Sequence, residues 1–391
     1  METNYLVTTK KIIGIYYYWY LSDEDYLTKG GGGTGRWFFE LSRELMNMGY
    51  HVILFGKINN GGGPNFGRHY GPYNIDIMSL EGFEYIREKQ HFDHFISIGS
   101  MHVFEKPINC NSLYIMCHNN YTELEDQNDV YYDPYKFNKL LRYAVLSEDS
   151  KKRIKPQIGY DTTDRDFFLT SNGVDQSFYS DVDTYQKKNK MVWSSRPERG
   201  LKTFIKYVYP LIKKEVPDFE VDVCSYINPE DLDMSEYLED NSIHFLGRLN
   251  QEDLAKIQKE SKIWVYPNLG LTEELFFFHE TFCITAVENA LSKNVIICLG
   301  NKDGIQTVFN GYDSFLSGNL FNEYETIYPS NYKLVGEKMA EMAIKALKDE
   351  NYRKYLVDQT YNLSKKYTWR NAALGWVKEW GEEEFVNTFL K

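Results

Sequence analysis

The sequence predicts an α/β protein with two domains, each built around a parallel β-sheet. The chain has 391 residues, and at about 100–200 residues per domain this length suggests two or three domains. Short apolar runs alternate with amphipathic helical segments along most of the chain, which is typical of parallel sheets. The polar segment 176–190 has no periodicity and divides this alternation into two series, so it is the best candidate for an interdomain linker.

The first series opens with a strand, a glycine-containing loop and a helix. Residues 10–20 are rich in β-forming side chains, and residues 36–50 place apolar side chains at helical spacing with Gly49 as a C-terminal cap. A short apolar strand follows at 51–56. Further strands and one short helix are predicted within residues 91–99, 112–119, 143–159 and 166–175.

The second series repeats the pattern. Strands are predicted at 191–195, 219–226, 243–248, 263–267 and 294–300, with helices at 200–217 and 250–262. Long helical patterns run from about residue 333 to the end. We therefore expect two Rossmann-like domains.

Composition sets broad limits on function. The chain is 42% hydrophobic and 26% charged, which permits a large core. The net charge of -12 argues against broad binding of a nucleic-acid backbone, which needs a basic face. The five cysteines form no CxxC pair, and we expect buried free thiols in a reducing compartment.

The sequence shows no targeting or membrane segment. The first residues contain no apolar core of a signal peptide, and no run approaches the ~20 apolar residues of a membrane helix. We expect a cytoplasmic protein without a transmembrane segment, for which peripheral membrane contact stays open.

Glycines stand before the first predicted helix. Gly30, Gly32 and Gly35 match GxGxxG, but about ten loop residues separate them from their strand, and the second strand ends in Lys57 rather than an acidic residue. Dinucleotide binding is therefore disfavoured. Glycines before a helix also let backbone N–H groups approach an anion, and an ordinary surface loop is the alternative.

Basic residues stand between a strand end and a helix start in the second series. Arg196 and Arg199 occupy this turn, and Lys202 follows one turn later. Cations here would add to the helix dipole and suit a diphosphate. A solvated basic loop is the alternative.

Two glutamates lie in an otherwise apolar stretch, residues 279–291. We expect Glu280 in the loop before a helix that begins near Ile284, and Glu288 in the first turns of that helix. Both would lie outside the core, near the carboxyl ends of the strands, where open α/β sheets bind ligands. The hydroxyls of a sugar and a ribose would suit them. Helix capping and ordinary amphipathicity are the alternatives.

His118 follows a predicted strand of the first domain, where a structural histidine is the alternative to a binding role. The eight histidines show no HxH or HExxH spacing, and two DxD-like strings lie in polar segments. No metal site is predicted.

Together these motifs resemble the GT-B glycosyltransferases of retaining family 4. The resemblance covers roughly residues 10–380 and rests on the glycine loop, "ELSRELMNMGYHV", "IMCH", "VLSEDSKKRI", "SNGVD", "SSRPERGL", "IHFLGRLNQEDLAKI" and Glu280-x7-Glu288, in that order. It implies an N-terminal domain of residues 1–178 and a nucleotide-sugar-binding domain of residues 179–366, with the sheets facing across a cleft. It also implies that residues 367–391 form a helix that crosses back to the first domain.

The resemblance assigns roles to individual residues. Glu288 resembles the ribose ligand, and Glu280 and His118 resemble the contacts to the donor sugar. The diphosphate would be bound by Arg196 together with Arg199 or Lys202. Further donor contacts implied by the resemblance are Gly32, Gly33, Leu246, Gly247, Arg248, Thr281, Phe282, Cys283 and Ile284. Two of these depart from the family, since Thr281 and Cys283 stand where glycine is common.

The implied activity is transfer of a sugar, with retention, from a UDP- or GDP-sugar to a glycan, lipid or small-molecule acceptor. No cofactor and no metal are expected, because the basic side chains would supply the positive charge. A nucleotide-sugar epimerase of the same fold and a non-catalytic nucleotide-sugar-binding protein are the alternatives.

Overall fold

A computed structural model describes residues 10–21, 32–58, 69–70, 74–119, 141–158, 162–224, 240–268, 279–299, 304–310, 312 and 331–389. Gly30 and most of the second glycine cluster, residues 59–74, lie outside these ranges. Among the described helices, none is both long and apolar enough to span a bilayer.

The chain divides into two compact units. Of the described residues, unit 1 holds those up to Ser171 together with the segment from Trp369 onward, and unit 2 holds Asn172–Thr368.

The described strands and helices follow one another in the predicted alternation. The strands are β1 (Ile12–Leu21), β2 (His51–Ile58), β3 (His69–Tyr70), β4 (Asp76–Ser79), β5 (Phe92–Ile98), β6 (Cys110–Cys117), β7 (Leu141–Val145), β8 (Phe167–Leu169), β9 (Lys188–Trp193), β10 (Glu220–Val223), β11 (Ile243–Phe245), β12 (Ser261–Tyr266) and β13 (Val295–Cys298). The helices are α1 (Gly33–Asn47), α2 (Leu80–Ile86), α3 (Glu148–Ile158), α4 (Leu201–Thr203), α5 (Tyr209–Glu215), α6 (Gln251–Glu260), α7 (Ile284–Leu291), α8 (Gly304–Val308), α9 (Tyr332–Lys348), α10 (Glu350–Ser364), α11 (Trp369–Trp380) and α12 (Glu383–Phe389).

Unit 1 is built on a sheet with strand order β3-β4-β2-β1-β5-β6-β7-β8. Its strand pairs are parallel except for β3 with β4 at one edge. Strands β5 and β6 are buried along most of their length because helices cover both faces of such a sheet. Four phenylalanine rings form the centre of one face: Phe55, Phe83, Phe92 and Phe95.

The last two helices complete unit 1, as the fold class predicts. Trp376 of α11 is fully buried, and its ring lies 4.8 Å from that of Phe168 and 6.1 Å from that of Trp37. After α11, Glu382 accepts hydrogen bonds from the hydroxyl of Tyr50 at 2.8 Å and from His94 Nε2 at 3.0 Å, and it pairs with Lys11.

Unit 2 is built on a fully parallel sheet with strand order β11-β10-β9-β12-β13. Strands β9 and β12 lie side by side, so the loops that follow them emerge at the same edge. The two parallel sheets with flanking helices confirm the predicted α/β class.

The polar segment 176–190 is not an unstructured linker. It belongs to unit 2, where it forms two short 3-10 turns and the start of β9. Tyr179 and Val182 anchor the turns in the core, with exposed fractions of 3% each. The interpretation as a linker was wrong because buried apolar side chains stabilise a segment whose average composition is polar.

Candidate functional site

The carboxyl edge of the unit 2 sheet brings the loop after β9 against the end of β12. The chain passes through a 3-10 turn, Pro197–Arg199, and reaches Gly200, whose φ of +116° is in the left-handed region. A Cβ atom at Gly200 would lie 2.4 Å from the carbonyl oxygen of Pro267. Only glycine permits this approach, and it holds Arg199 beside the segment that follows β12.

Arg199, Glu280 and Tyr266 form a hydrogen-bonded cluster at this edge. Arg199 Nη1 donates to Glu280 Oε1 at 3.2 Å, and the Tyr266 hydroxyl donates to the same oxygen at 2.7 Å. Tyr266 is fully buried and Glu280 is 4% exposed. The structure therefore joins two residues that the sequence singled out with a tyrosine that it did not.

Burial and charge determine the protonation of this cluster. Burial opposes the charge on Arg199, but the Glu280 carboxylate together with Tyr266 and Cys283 outweighs it, and the pKa of Arg199 is raised above its ordinary value. Burial, followed by the charge of Glu280, raises the pKa of Tyr266 well above its ordinary value. Arg199 thus stays cationic and Tyr266 stays a neutral donor at physiological pH.

The segment from Glu280 to Ile284 has a constrained backbone. The backbone N–H of Gly304 donates to the carbonyl oxygen of Glu280 at 2.6 Å. Cys283 is the N-cap of α7 and has a φ of +64°. This left-handed backbone explains why glycine suits the position, since a Cβ is strained there.

Phe282 and Ile284 are part of the core of unit 2 rather than of an open surface. Phe282 is 2% exposed, and its ring lies edge-on to that of Tyr367 with centroids 5.1 Å apart. Ile284, the first residue of α7, is 9% exposed. Their contact to a donor stays a prediction.

Both glutamates are buried, contrary to the expectation that they lie outside the core. Glu280 precedes α7 and Glu288 lies in it, as the spacing predicts, but Glu288 is only 1% exposed. Gln251 Nε2 donates to Glu288 Oε1 at 2.8 Å, and Gln258 Nε2 lies within 3.5 Å of Oε2. The expectation was wrong because side chains distant in sequence supply the hydrogen bonds that a buried carboxylate needs.

The other basic candidates lie near the start of α4. Arg196 is exposed, and its Nε contacts Glu198 Oε1 at 2.7 Å. Lys202 is the second residue of α4 and is partly exposed. Leu246, Gly247 and Arg248 follow β11 at the same edge of the sheet and are exposed.

Unit 1 holds three of the candidates, two at the start of α1 and one beside a later residue of that helix. Gly32 is the N-cap of α1 and Gly33 its first residue, and both are exposed. His118 follows β6 directly, and its ring lies edge-on to that of Trp37 in α1, with centroids 5.3 Å apart. Burial lowers the pKa of His118 to about 3, so the imidazole is neutral at physiological pH.

Sequence reasoning missed the residues that hold the candidates in place. Tyr266 ends an apolar strand and reads as core, and Gln251 and Gln258 read as polar positions of a helix. The helix predicted at 250–262 contains both glutamines, but its local pattern gives no sign of a contact with Glu288. Among the described side chains, no group of three or more His, Cys, Asp and Glu is arranged to hold a metal ion.

Comparisons with known proteins show the fold. No family model matches the chain, and no curated protein matches it in sequence. It is similar in structure to a sucrose-phosphate synthase from Thermosynechococcus elongatus, with 12% identity, a TM-score of 0.67, and coverage of 95% of this chain and 99% of that one. A glycosyltransferase from Rickettsia africae is similar at 12% identity and a TM-score of 0.66, with coverage of 96% and 98%.

A third similar structure is Anabaena HepE, solved with UDP and glucose. It shares 10% identity and a TM-score of 0.59, with coverage of 98% of this chain and 100% of that one. At such low identities the likeness shows the fold alone: the chain has the GT-B architecture of glycosyltransferases.

Proposed function

We propose that the chain is a retaining, metal-independent glycosyltransferase of family 4 type, a hexosyltransferase that moves a sugar from a nucleotide-diphosphate sugar to an acceptor. One observation carries the proposal. In a GT-B chain, Arg199 and Glu280, the predicted ligands of the diphosphate and the sugar, are in direct contact at the carboxyl edge of the unit 2 sheet.

The donor's diphosphate is assigned to the basic residues around α4. Arg196, Arg199 and Lys202 would stabilise the negative charge that develops on the leaving diphosphate, and Arg can bind its oxygens bidentately. Because these side chains supply positive charge, we propose that transfer needs no metal and no other cofactor. Retention rests on the family resemblance.

The donor's ribose and base are assigned to Glu288 and to the segment Leu246, Gly247 and Arg248. Each oxygen of Glu288 faces one amide group, and a ribose hydroxyl would use one of the remaining acceptor positions of the carboxylate. The exposed segment after β11 offers backbone groups to a base. Thr281, Phe282, Cys283 and Ile284 would contact the donor sugar through their backbone.

The donor is proposed to be a UDP-sugar or a GDP-sugar. Support for UDP comes from three similar structures solved with UDP: a pneumococcal O-GlcNAc transferase, S. aureus TarM and Anabaena HepE. The acceptor is proposed to be a glycan, a lipid or a small molecule, handled in the cytoplasm.

A donor screen tests the proposal. UDP-glucose, UDP-N-acetylglucosamine, GDP-mannose and ADP-glucose are compared by thermal shift, where a ligand at 100 times its Kd adds about 2.7 kcal/mol of stability. Release of nucleoside diphosphate is then measured with and without EDTA. Glu280→Gln should lower this release, whereas the exposed control Glu252→Gln should not.

The outcomes separate the candidate functions. Donor turnover that survives EDTA supports the proposal. A free epimeric sugar nucleotide formed without acceptor would indicate an epimerase, and tight binding without turnover would indicate a binding protein. Failure to bind any of the four donors would contradict the proposal.

The roles of His118, Gly32 and Gly33 in unit 1 stay predictions. His118→Gln should lower turnover while leaving nucleotide affinity unchanged, because the assigned contact is to the sugar. Loss of nucleotide affinity in this variant would contradict the assignment.

A further inference from the structure

We propose that Tyr266 is a positioning residue of the donor site: with Arg199 it holds Oε1 of Glu280, so that Oε2 is the oxygen presented to a hydroxyl of the donor sugar. The inference rests on the proposed function. It adds Tyr266 to the site and assigns different roles to the two carboxylate oxygens of Glu280.

The two oxygens of Glu280 have different surroundings. Oε1 accepts hydrogen bonds from Tyr266 at 2.7 Å and from Arg199 at 3.2 Å. Within the described part of the chain, no side-chain hydrogen bond or ion pair reaches Oε2. An ionised carboxylate has about four acceptor positions, so Oε2 keeps the capacity to accept hydrogen bonds from a ligand. A hydroxyl of a bound sugar would supply the donor that Oε2 lacks.

Tyr266 is well placed to hold the carboxylate still. It ends β12, it is fully buried, and its ring stacks on that of Trp264 with centroids 4.8 Å apart and planes at 16°. The ring of Trp193 in the neighbouring strand β9 lies 5.6 Å away. A hydroxyl fixed by two indole rings on a central strand is a more exact anchor than one on a loop.

The backbone of Glu280 has its own anchor. The Gly304 N–H binds the Glu280 carbonyl oxygen at 2.6 Å, and a Cβ at Gly304 would lie 2.2 Å from the carbonyl carbon of Thr281. The backbone is thus fixed by α8 and the carboxylate by β12. This arrangement leaves Oε2 as the part of Glu280 that a ligand can use.

The arrangement separates recognition of the sugar from recognition of the nucleotide. Tyr266 donates a hydrogen bond to Glu280, which is assigned to the sugar. Arg199, which is assigned to the diphosphate, binds the same oxygen, but it keeps its charge and its bond to Glu280 when the Tyr266 hydroxyl is removed. Loss of the Tyr266 hydroxyl should therefore weaken binding of a nucleotide sugar while leaving binding of the nucleoside diphosphate intact.

Calorimetry on Tyr266→Phe tests this separation. UDP-glucose is compared with UDP, and GDP-mannose with GDP, on the full chain. For the pair that binds wild type, Tyr266→Phe should weaken the nucleotide sugar roughly 10-fold while changing the nucleoside diphosphate less than about twofold, since a hydrogen bond to a charged group is lost. The matched control is Tyr209→Phe, which removes a hydroxyl bonded to Asp240 at 2.6 Å in the same unit, and it should change neither.

A double variant, Tyr266→Phe combined with Glu280→Gln, shows whether Tyr266 affects nucleotide-sugar affinity through Glu280. In Glu280→Gln, adding Tyr266→Phe should cause no further loss of nucleotide-sugar affinity, because the positioned carboxylate is already absent. Independent losses that multiply would overturn the inference. If Tyr266→Phe does not fold, Glu280→Asp provides the same comparison, since it withdraws the carboxylate and keeps its charge.

The remaining outcomes are also decisive. Wild-type binding of UDP-glucose or GDP-mannose with an unaffected Tyr266→Phe would overturn this inference and leave the proposed function standing. Equal losses for nucleotide sugar and nucleoside diphosphate would show a merely structural tyrosine. Failure of wild type to bind any of the four screened donors would remove the proposed function and this inference with it.

Discussion

Arg199 and Glu280 are bonded to each other across 81 positions of sequence, with Nη1 of the arginine 3.2 Å from Oε1 of the glutamate. Both are candidates for binding the donor, and each is the counter-charge of the other. The stability of unit 2 and the assembly of its candidate site are therefore linked.

Removing the cation alone should destabilise unit 2. Arg199→Met leaves the Glu280 carboxylate nearly buried, with Tyr266 as its remaining donor among the described side chains, and we expect a loss of about 2–3 kcal/mol. The double variant Arg199→Met with Glu280→Gln should recover at least half of this loss, because the buried charge is gone. Additive losses in thermal unfolding would contradict the coupling.

Gly200 is predicted to tolerate no side chain. Gly200→Ala combines a left-handed backbone with a Cβ 2.4 Å from the Pro267 carbonyl oxygen, and we expect a loss of about 3 kcal/mol. Gly247→Ala is the control, since Gly247 has a φ of +69° but open space around its Cα, and it should lose about 1 kcal/mol. Equal melting temperatures for the two variants would contradict the close approach.

Glycine should be more stabilising than alanine at Cys283 but less stabilising than alanine at a cysteine within a strand. In its left-handed backbone, Cys283→Gly should be more stable than Cys283→Ala by about 1 kcal/mol. Cys298 lies in β13, where Cys298→Gly should be less stable than Cys298→Ala by about 1 kcal/mol. Denaturant unfolding of the four variants measures both differences, and the same sign at both positions would refute the strain at Cys283.

His118 should make unit 1 sensitive to mild acid. Its folded pKa of about 3 is below the ordinary 6.5, so its contribution to stability is present above pH 6.5 and lost as the pH falls toward 3. Between pH 7 and pH 5, wild type should lose about 1–2 kcal/mol relative to His118→Gln. The exposed His91→Gln is the control and should follow wild type.

Glu382 should make the docking of the last helix sensitive to stronger acid. Although burial opposes the charge, hydrogen bonds from His94, Lys11 and Tyr50 lower the pKa of Glu382 to about 2 from 4.5. The contribution is present above pH 4.5 and is lost as the pH falls toward 2. Allowing for solvent screening, Glu382→Gln should cost about 1–2 kcal/mol at pH 7 and progressively less below pH 5. The exposed Glu383→Gln should show no such pH dependence.

Chain order and local periodicity were enough for much of the fold. The alternation of strands and helices predicted the two parallel sheets, since each element carries its own apolar pattern. The same local reasoning predicted Glu280 before a helix and Glu288 within it, and Arg199 in the turn after a strand. The polarity of residues 176–190 led to a wrong prediction of a linker, because average composition does not show which side chains are buried.

The sequence by itself therefore determined the class of fold and the elements on which the candidate residues lie, because these depend on patterns within a few turns. Only the tertiary structure decided that both glutamates are buried, that Arg199 binds Glu280, and that Tyr266 holds the same carboxylate oxygen. Burial and partnership depend on segments that meet only after packing. A carboxylate's surroundings are thus determined by residues that no local pattern connects to it.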